Sequence, residues 1–240
     1  MKELLADYIV KKVSDLIEEH KGKSSLVIGL GSGTTAGLAV KKLAARYSGK
    51  IVPFKAIATS YESASTALEA GIDVLPLFSG VVPDFSFDGA DEVDPQLSLI
   101  KGGGAAMTQE KIVARRAGGI TVIVTAEKLV PRLGVKFPVP VELLQIAVED
   151  VKRVVEKLPG VSSMKLREGT GKLGPVTTEL GNFILDVTYV GEIPADTERV
   201  LKLIPGVIET GLFPHDAKEV IVAKDNKLFR FLKGGALEPL

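Results

Sequence analysis

The sequence predicts an α/β protein in which a parallel sheet, covered on both faces by helices, carries a second and smaller α+β unit. Three observations predict it. From Ser24 to Ala126 apolar runs alternate with glycine-rich turns and helix-length amphipathic segments, the pattern of a parallel sheet with helical crossovers. Beyond Pro131 the order changes to strand, helix, strand, strand, helix, strand. The two helices of that second part end alike, EKLPGV at 156–161 and KLIPGV at 202–207, as the two halves of a split βαβ, ferredoxin-like unit would; a bare helix stop, for which Pro-Gly is common, is the other explanation.

The elements follow in order. MKELLADYIVKKVSDLIEEHKGK places Leu5, Ile9, Val13, Leu16 and Ile17 at helical spacing, so it is an amphipathic helix of the fold. SLVIGL (25–30) is a short buried strand, GSGTTAGLAVKKLAARYSG (31–49) a helix entered through glycines, and IVPFKAIATS (51–60) a second strand. YESASTALEAG is a helix ending at Gly71, IDVLPL a strand, and DFSFDGAD a strand with Phe85 and Phe87 on one face. LSLI is expected to deliver Lys101 at a strand end, AAMTQEKIVARRAG is a helix, and GITVIVTA closes the series. In the second part the strands are VPVELLQIA, SSMKLREG, NFILDVTYV and VIETGLF, and the helices VEDVKRVVEKLPG and ADTERVLKLIPG. Finally KEVIVAK and KLFRFLK form a hairpin turning at Asp225-Asn226, which returns to the first domain. The boundaries are therefore 1–130 with 208–240 for the sheet domain and 131–207 for the smaller one.

Composition narrows the function. The 240 residues are 45% hydrophobic and 25% charged, and 30 basic residues balance 30 acidic ones. No global field draws the chain to nucleic acid or to an anionic membrane, so any anion must be held by a local site. Cysteine is absent and only His20 and His215 are present, which removes disulfides, thiolate chemistry and a histidine-built zinc site. The longest apolar run, around Gly118 to Ala126, is half of what a membrane helix needs, and no signal-peptide pattern opens the chain. A cytoplasmic enzyme or binding protein is expected.

Chemistry concentrates in two glycine-rich turns. GLGSGTTA, Gly29 to Ala36, follows a strand and opens a helix, where unpaired amides and the helix dipole attract an anion. Gly31, Gly33 and Ala36 satisfy G-x-G-x-x-A, but a dinucleotide site also needs an acid at the end of the second strand, and none occurs before Glu62. Ser32, Thr34, Thr35 and Ser60 offer short hydroxyls that suit a small phosphate or sugar. In the second turn Lys101 precedes Gly102, Gly103 and Gly104. Three glycines exceed what turning alone requires, and their amides, with the lysine, could hold a developing oxyanion.

Carboxylates flank these turns. Asp88 ends a strand and Asp91 follows Gly89-Ala90, so both can face the strand-end crevice, whereas Glu92 and Asp94 are assigned to the turn itself. Around Glu110 the helical neighbours are Ala106, Met107, Val113 and Ala114, with Lys111, Arg115 and Arg116 on other faces. A carboxylate on an apolar stripe is desolvated, which raises its proton affinity and suits a general base; a half-buried structural glutamate is the competing explanation.

The motifs GLGSGTTA, SYESASTALEAGI, DGADEVD, LIKGGGAAMTQEK, TAEKLV, PVPVELL, GNFILDV and IPGVIETGLF stand in this order along nearly the whole chain, and in this the chain resembles the A type of ribose-5-phosphate isomerase. The resemblance implies a Rossmann-like domain with a smaller α/β domain inserted before the C-terminus. It also implies metal-independent and cofactor-free interconversion of ribose 5-phosphate and ribulose 5-phosphate, in the non-oxidative pentose phosphate pathway. The family's general base falls on Glu110, and its substrate loops on Ser32, Gly33, Thr34 and Thr35, on Asp88, Gly89, Ala90 and Asp91, and on Lys101 to Gly104, with Lys128 of TAEK as a further binding lysine. A homodimer or homotetramer is implied as well, with no nucleic-acid partner. Relative to the common T-G-S-T form Ser32 and Thr34 exchange hydroxyl types, and Gln109 stands where many members carry arginine.

That chemistry accounts for the residue types. Moving a carbonyl from C1 to C2 requires removal of the C2 proton, stabilisation of an enediolate and return of a proton to C1. One base serves both carbons if the intermediate is a cis-enediolate. We assign the proton donor and the positive charge to Asp88 and Lys101, and positioning of the sugar hydroxyls to Asp91. Which glycine loop holds the phosphate stays open at this level, as does the catalyst of ring opening. The rivals are an amino-sugar phosphate deaminase or sugar-phosphate lactonase, which should carry a catalytic histidine, a sugar-phosphate sensor without turnover, and a nucleotide-dependent oxidoreductase.

Overall fold

A computed structural model of the chain describes residues 1–20, 26–171 and 173–240. The elements run α1 (Lys2–Glu19), β1 (Leu26–Leu30), α2 (Gly33–Tyr47), β2 (Phe54–Ala58), α3 (Tyr61–Glu69), β3 (Asp73–Val74), β4 (Phe85–Asp88), β5 (Glu92–Val93), β6 (Leu99–Ile100), α4 (Met107–Arg116) and β7 (Ile120–Thr125). There follow β8 (Val139–Leu143), α5 (Val148–Val155), β9 (Val161–Leu166), β10 (Phe183–Tyr189), α6 (Thr197–Lys202), β11 (Val207–Thr210), β12 (Leu212–Phe213), β13 (Ala217–Lys224), β14 (Lys227–Phe231) and β15 (Leu237–Pro239). The expected start of the first strand, at Ser25, lies outside the described residues.

Eight strands form the large sheet in the order β15-β14-β13-β7-β4-β1-β2-β3. From β3 to β13 every pairing is parallel. Taken along the chain this is the doubly wound order 3-2-1-4-5-6, whose connections reverse direction between β1 and β4. That crevice, at the carboxyl ends of β1 and β4, is where such sheets place ligands. Alternating side chains of the strands feed two cores. Ile28, Leu30, Phe85, Phe87 and Ile123 pack with Leu5, Ile9 and Val13 of α1 and with Ala36, Ala39 and Val40 of α2. On the opposite face Val122, Val124, Val220 and Val222 pack with Met107 and Ala114 of α4.

The second sheet has the order β11-β8-β10-β9, with every neighbouring pair antiparallel. In the numbering of that unit alone the order is 4-1-3-2, the ferredoxin-like arrangement, with α5 and α6 as its two crossovers. Asp225 and Asn226 have φ of 48° and 56°, the left-handed pair that a tight two-residue hairpin requires, and β14 and β15 extend the large sheet from that turn.

Several expectations need correction. IDVLPL is not one strand: only Asp73 and Val74 pair, and Pro76, which lacks an amide to donate, starts a short 3-10 turn at Leu77–Ser79. LSLI delivers Lys101 from a strand, but β6 belongs to a separate three-stranded sheet, β12-β6-β5. VIETGLF is split at Gly211, whose amide donates to Pro140 O (2.7 Å) and whose carbonyl accepts from Lys101 N (2.9 Å). Glu92 is no turn residue either. It is fully buried and accepts the amides of Gly134 (2.6 Å), Lys136 (2.5 Å) and Phe137 (2.8 Å), while Asp94 does hold its own turn through Gln96 N and Ser98 N.

Candidate active site

A cavity of about 560 Å³ opens at the carboxyl ends of β1, β4 and β7. Its lining includes Ser32 to Thr35, Asp88 to Asp91, Lys101 to Gly104, Glu110 and Lys128, whereas Ser60, also singled out from sequence, caps α3 by accepting the Ser63 amide. Five chain segments separated by as many as 96 positions thus meet at the switch point between β1 and β4.

The first wall is the start of α2. Ser32 is its N-cap, yet the Ser32 side chain makes no capping bond, and no acidic residue stands in the first turn. The positive end of the helix is left uncompensated toward the cavity. Instead the Ser32 hydroxyl donates to Glu110 Oε1. Lys2 of α1 reaches the same place, its ammonium donating to Thr34 Oγ1 at 2.9 Å. Gly31 must be glycine because a Cβ there would strike the Asp88 carboxylate and the Phe87 carbonyl.

The floor is ionic. Lys101 is 3% exposed, and its ammonium lies 3.0 Å from Asp88 Oδ2, 3.0 Å from Glu110 Oε2 and 2.7 Å from Gly89 O. Those three acceptors match the three protons of an ammonium. Asp88 Oδ1 also accepts the amides of Ser32 (3.0 Å) and Gly89 (2.7 Å). Burial pushes the Asp88 carboxyl up to about 7, with the neighbouring Glu110 adding to the rise against the pull of Lys101 and the Gly89 amide. Burial alone would strip Lys101 of its proton, but Asp88 and Glu110 outweigh it and hold the ammonium above the ordinary lysine range. Glu110 is 7% exposed, and among the described residues its Oε2 faces only the Lys101 ammonium. It lies at the start of α4, where its carboxylate faces the crevice.

The second glycine turn closes the other side. Gly102 has φ +108°, and Gly103 donates its amide to Asp91 Oδ2 at 2.8 Å. A Cβ on Gly103 would lie 2.8 Å from the other Asp91 oxygen, so only glycine lets this backbone come so near the carboxylate. Lys2, Glu127, Lys136 and Phe137 complete the wall. Sequence reasoning missed all four, because no local motif marks them. Lys2 precedes the glycine turn by about 30 positions, and Lys136 is brought in by the loop that Glu92 anchors.

Behind the floor lies a feature the helical pattern concealed. Lys111, adjacent to Glu110, is 1% exposed and pairs with Glu198 (3.0 Å) of α6 and with Glu209 (2.9 Å) and Thr210 O (2.8 Å) of β11, the strand that carries the smaller domain on past the expected boundary at 207. Its ammonium sits 4.6 Å from the centre of the Phe213 ring, and Lys101 sits 5.7 Å from the same ring. Arg115 binds Glu198 and Asp216, and Thr108 donates to the buried Glu142. The smaller domain therefore grips the polar face of α4 and sets where Glu110 stands.

Fold and cavity define an α/β enzyme of the sugar-phosphate isomerase class. Residues 55–227 match the family described as ribose 5-phosphate isomerase A (phosphoriboisomerase A). A ribose-5-phosphate isomerase A of Prochlorococcus marinus is 42% identical over 227 residues, which cover 93% of this chain and 94% of the relative. The solved ribose 5-phosphate isomerase A of Methanocaldococcus jannaschii is 35% identical with a TM-score of 0.80, covering 100% of both chains. A second solved relative, a D-ribose-5-phosphate isomerase in complex with phospho-erythronic acid, is 38% identical with a TM-score of 0.81 over 95% of this chain and 97% of the other. The chain belongs to the ribose 5-phosphate isomerase A family.

Proposed function

We propose that this chain interconverts ribose 5-phosphate and ribulose 5-phosphate through a cis-enediolate, with Glu110 carrying the proton between C2 and C1. The observation that carries the assignment is the position of Glu110: buried, 3.0 Å from the Lys101 ammonium, and between the two glycine turns. The open-chain sugar lies with its phosphate at the first turn of α2, against the free amides, Thr34, Thr35 and Lys2, with Lys128 beside it. Its reacting end reaches Glu110, and Asp91 orients the hydroxyls.

Glu110 removes the C2 proton and becomes neutral as negative charge appears on the substrate oxygen at C1. Lys101 stabilises that charge, and Asp88, poised near neutrality at about 7, gives a proton to the C1 oxygen, which keeps it as a hydroxyl, and is reprotonated by the C2 hydroxyl as the carbonyl forms at C2. Glu110 then delivers its proton to C1 from the same face. Negative charge only shifts between Glu110 and a substrate oxygen, both within reach of one fixed ammonium, so little reorganisation is needed.

The chain assembles as a homodimer or homotetramer in this proposal. Phe78 and Val82, 92% and 62% exposed, supply apolar surface for a second copy, and sedimentation velocity reads the result. The function itself is tested by assaying the purified chain for conversion of ribose 5-phosphate to ribulose 5-phosphate, with chelator present. Turnover is expected. No turnover, or turnover only with added metal, overturns the proposal.

A further inference from the structure

Inside the KGGG turn one backbone hydrogen bond, from Ala105 N to Gly102 O at 3.0 Å, closes the loop but leaves the Gly103 carbonyl and the Gly104 amide unset. Its three glycines carry no side chains to pack, and Gly102 has φ +108°; such a segment loses more freedom on ordering than any other. Something outside it must fix it. Arg167, which follows β9 in the smaller domain, does so. Its Nε and Nη2 grip Asp186 of β10 at 2.8 and 2.5 Å, a two-point fork that locks the guanidinium plane. The remaining terminal nitrogen, Nη1, leaves that domain and donates to the carbonyls of Gly102 (2.6 Å) and Gly103 (3.2 Å).

The direction of those two carbonyls decides what the turn offers to a ligand. In a planar trans peptide the C=O and the N–H point opposite ways. With the Gly102 carbonyl on Arg167, the Gly103 amide is turned to Asp91, where it donates at 2.8 Å. With the Gly103 carbonyl also on Arg167, the Gly104 amide is turned away from the guanidinium. It meets no acceptor among the described residues, and Gly104 lines the cavity. A cation on the carbonyl side also polarises each peptide and strengthens its N–H as a donor.

We infer that Arg167 is a positioning residue of the isomerase: it holds the Gly102–Gly104 peptides so that the Gly104 amide faces the enediolate oxygen. This rests on the function proposed above. Arg167 touches no reacting atom and acts through the turn.

The test compares wild type with Arg167→Met, Arg167→Lys and Asp186→Asn. It measures kcat and KM for ribose 5-phosphate, and inhibition by phospho-erythronic acid and by inorganic phosphate. The phospho-erythronate carboxylate puts charge where the enediolate bears it, whereas inorganic phosphate reads only the α2 end. Arg167→Met is expected to lower kcat by about 10- to 100-fold, since an oxyanion donor is worth roughly 10²–10³ when removed and less when merely misaligned. KM and inorganic phosphate inhibition should stay close to wild type, while phospho-erythronate inhibition weakens in step with kcat. Arg167→Lys, a single-point cation, should recover part of the loss, and Asp186→Asn should lose part of it. Equal weakening of both inhibitors, or unchanged kcat and phospho-erythronate inhibition, overturns the inference. Should Arg167→Met fail to fold, Arg167→Lys decides alone by the same two readouts. An inactive wild type would remove the functional proposal itself, whereas a fully active wild type matched by its variants removes only the role of Arg167.

Discussion

Replacing Glu110 by glutamine removes the proposed base while keeping its shape. The amide can present its oxygen to Lys101, 3.0 Å away, and its nitrogen to the Ser32 hydroxyl, which then turns from donor to acceptor. No cavity or uncompensated charge is created, so the fold should survive. Loss of a positioned base costs about 10²–10⁴ in rate. The structure places this case toward the upper part of that range because a second effect follows. Glu110 is one of the groups that push the Asp88 carboxyl up to about 7; without it Asp88 gives up its proton more readily and is a poorer donor at neutral pH. A loss of about 10³ in kcat, or ~4 kcal/mol at 1.36 kcal/mol per tenfold, is expected, with KM changed little because the phosphate contacts lie elsewhere. A coupled assay in both directions gives kcat and KM, and mass spectrometry of the product follows solvent deuterium entering C1, which should fall with kcat. Glu110→Gln turning over within tenfold of wild type, or losing only substrate affinity, refutes the assignment of the base.

Three further outcomes are expected. The kcat/KM of the wild type should decline as pH rises through about 7, the range in which the buried Asp88 loses the proton it lends; Asp88→Asn should lower kcat by about 10² or more and abolish that inflection, and an unchanged profile would contradict the donor role. Lys2→Met removes an exposed cation beside Thr34 and should raise KM about 5-fold, for a contact worth about 1 kcal/mol, with kcat preserved; a fall in kcat instead would move Lys2 out of the phosphate contacts. Lys111→Met leaves Glu198 and Glu209 without their shared buried cation, so stability should drop by about 3–5 kcal/mol and thermal denaturation should show Tm lower by about 10 °C. An unshifted Tm would mean that the grip on α4 contributes nothing.

How far the sequence discloses this arrangement depends on whether the governing interactions are local. The hairpin at Asp225-Asn226 is legible because its φ values are a property of two adjacent residues. The repeated EKLPGV and KLIPGV endings are legible because α5 and α6 occupy equivalent places in one βαββαβ unit. Asp88 and Lys101 are legible because each stands at a strand end, and Glu110 because it lies in the first turn of a helix on an otherwise apolar stripe. The polar face of α4 is not. Thr108, Lys111 and Arg115 have the spacing of a solvated stripe, yet they meet Glu142, Glu198, Glu209 and Asp216, partners 34 to 101 positions away. Nothing in the periodicity of a helix distinguishes water from a polar domain surface. Glu92 was misassigned for the same reason, since the amides it binds belong to a loop more than 40 positions downstream.

These long-range contacts also explain why an inserted domain that gives only Lys136 and Phe137 to the cavity lining shapes the site. Asp88, Lys101 and Glu110 carry a net charge of 0 with the Asp88 proton in place and −1 without it, in a nearly dry place, and such clusters add little to stability. What they require is fixed geometry, because the proton donor, the cation and the base must keep their spacing while charge passes from Glu110 to the substrate. The sheet domain fixes Asp88 directly, through the end of β4. Lys101 and Glu110 sit instead on a glycine turn and on the first turn of a ten-residue helix, segments that could shift on their own. The smaller domain holds the turn through Arg167 and the helix through the partners of Lys111, Arg115 and Thr108. Substitutions on that contact surface should therefore change turnover before they change substrate binding, since in the proposed pose the phosphate end rests on α2, α1 and Lys128, all in the sheet domain.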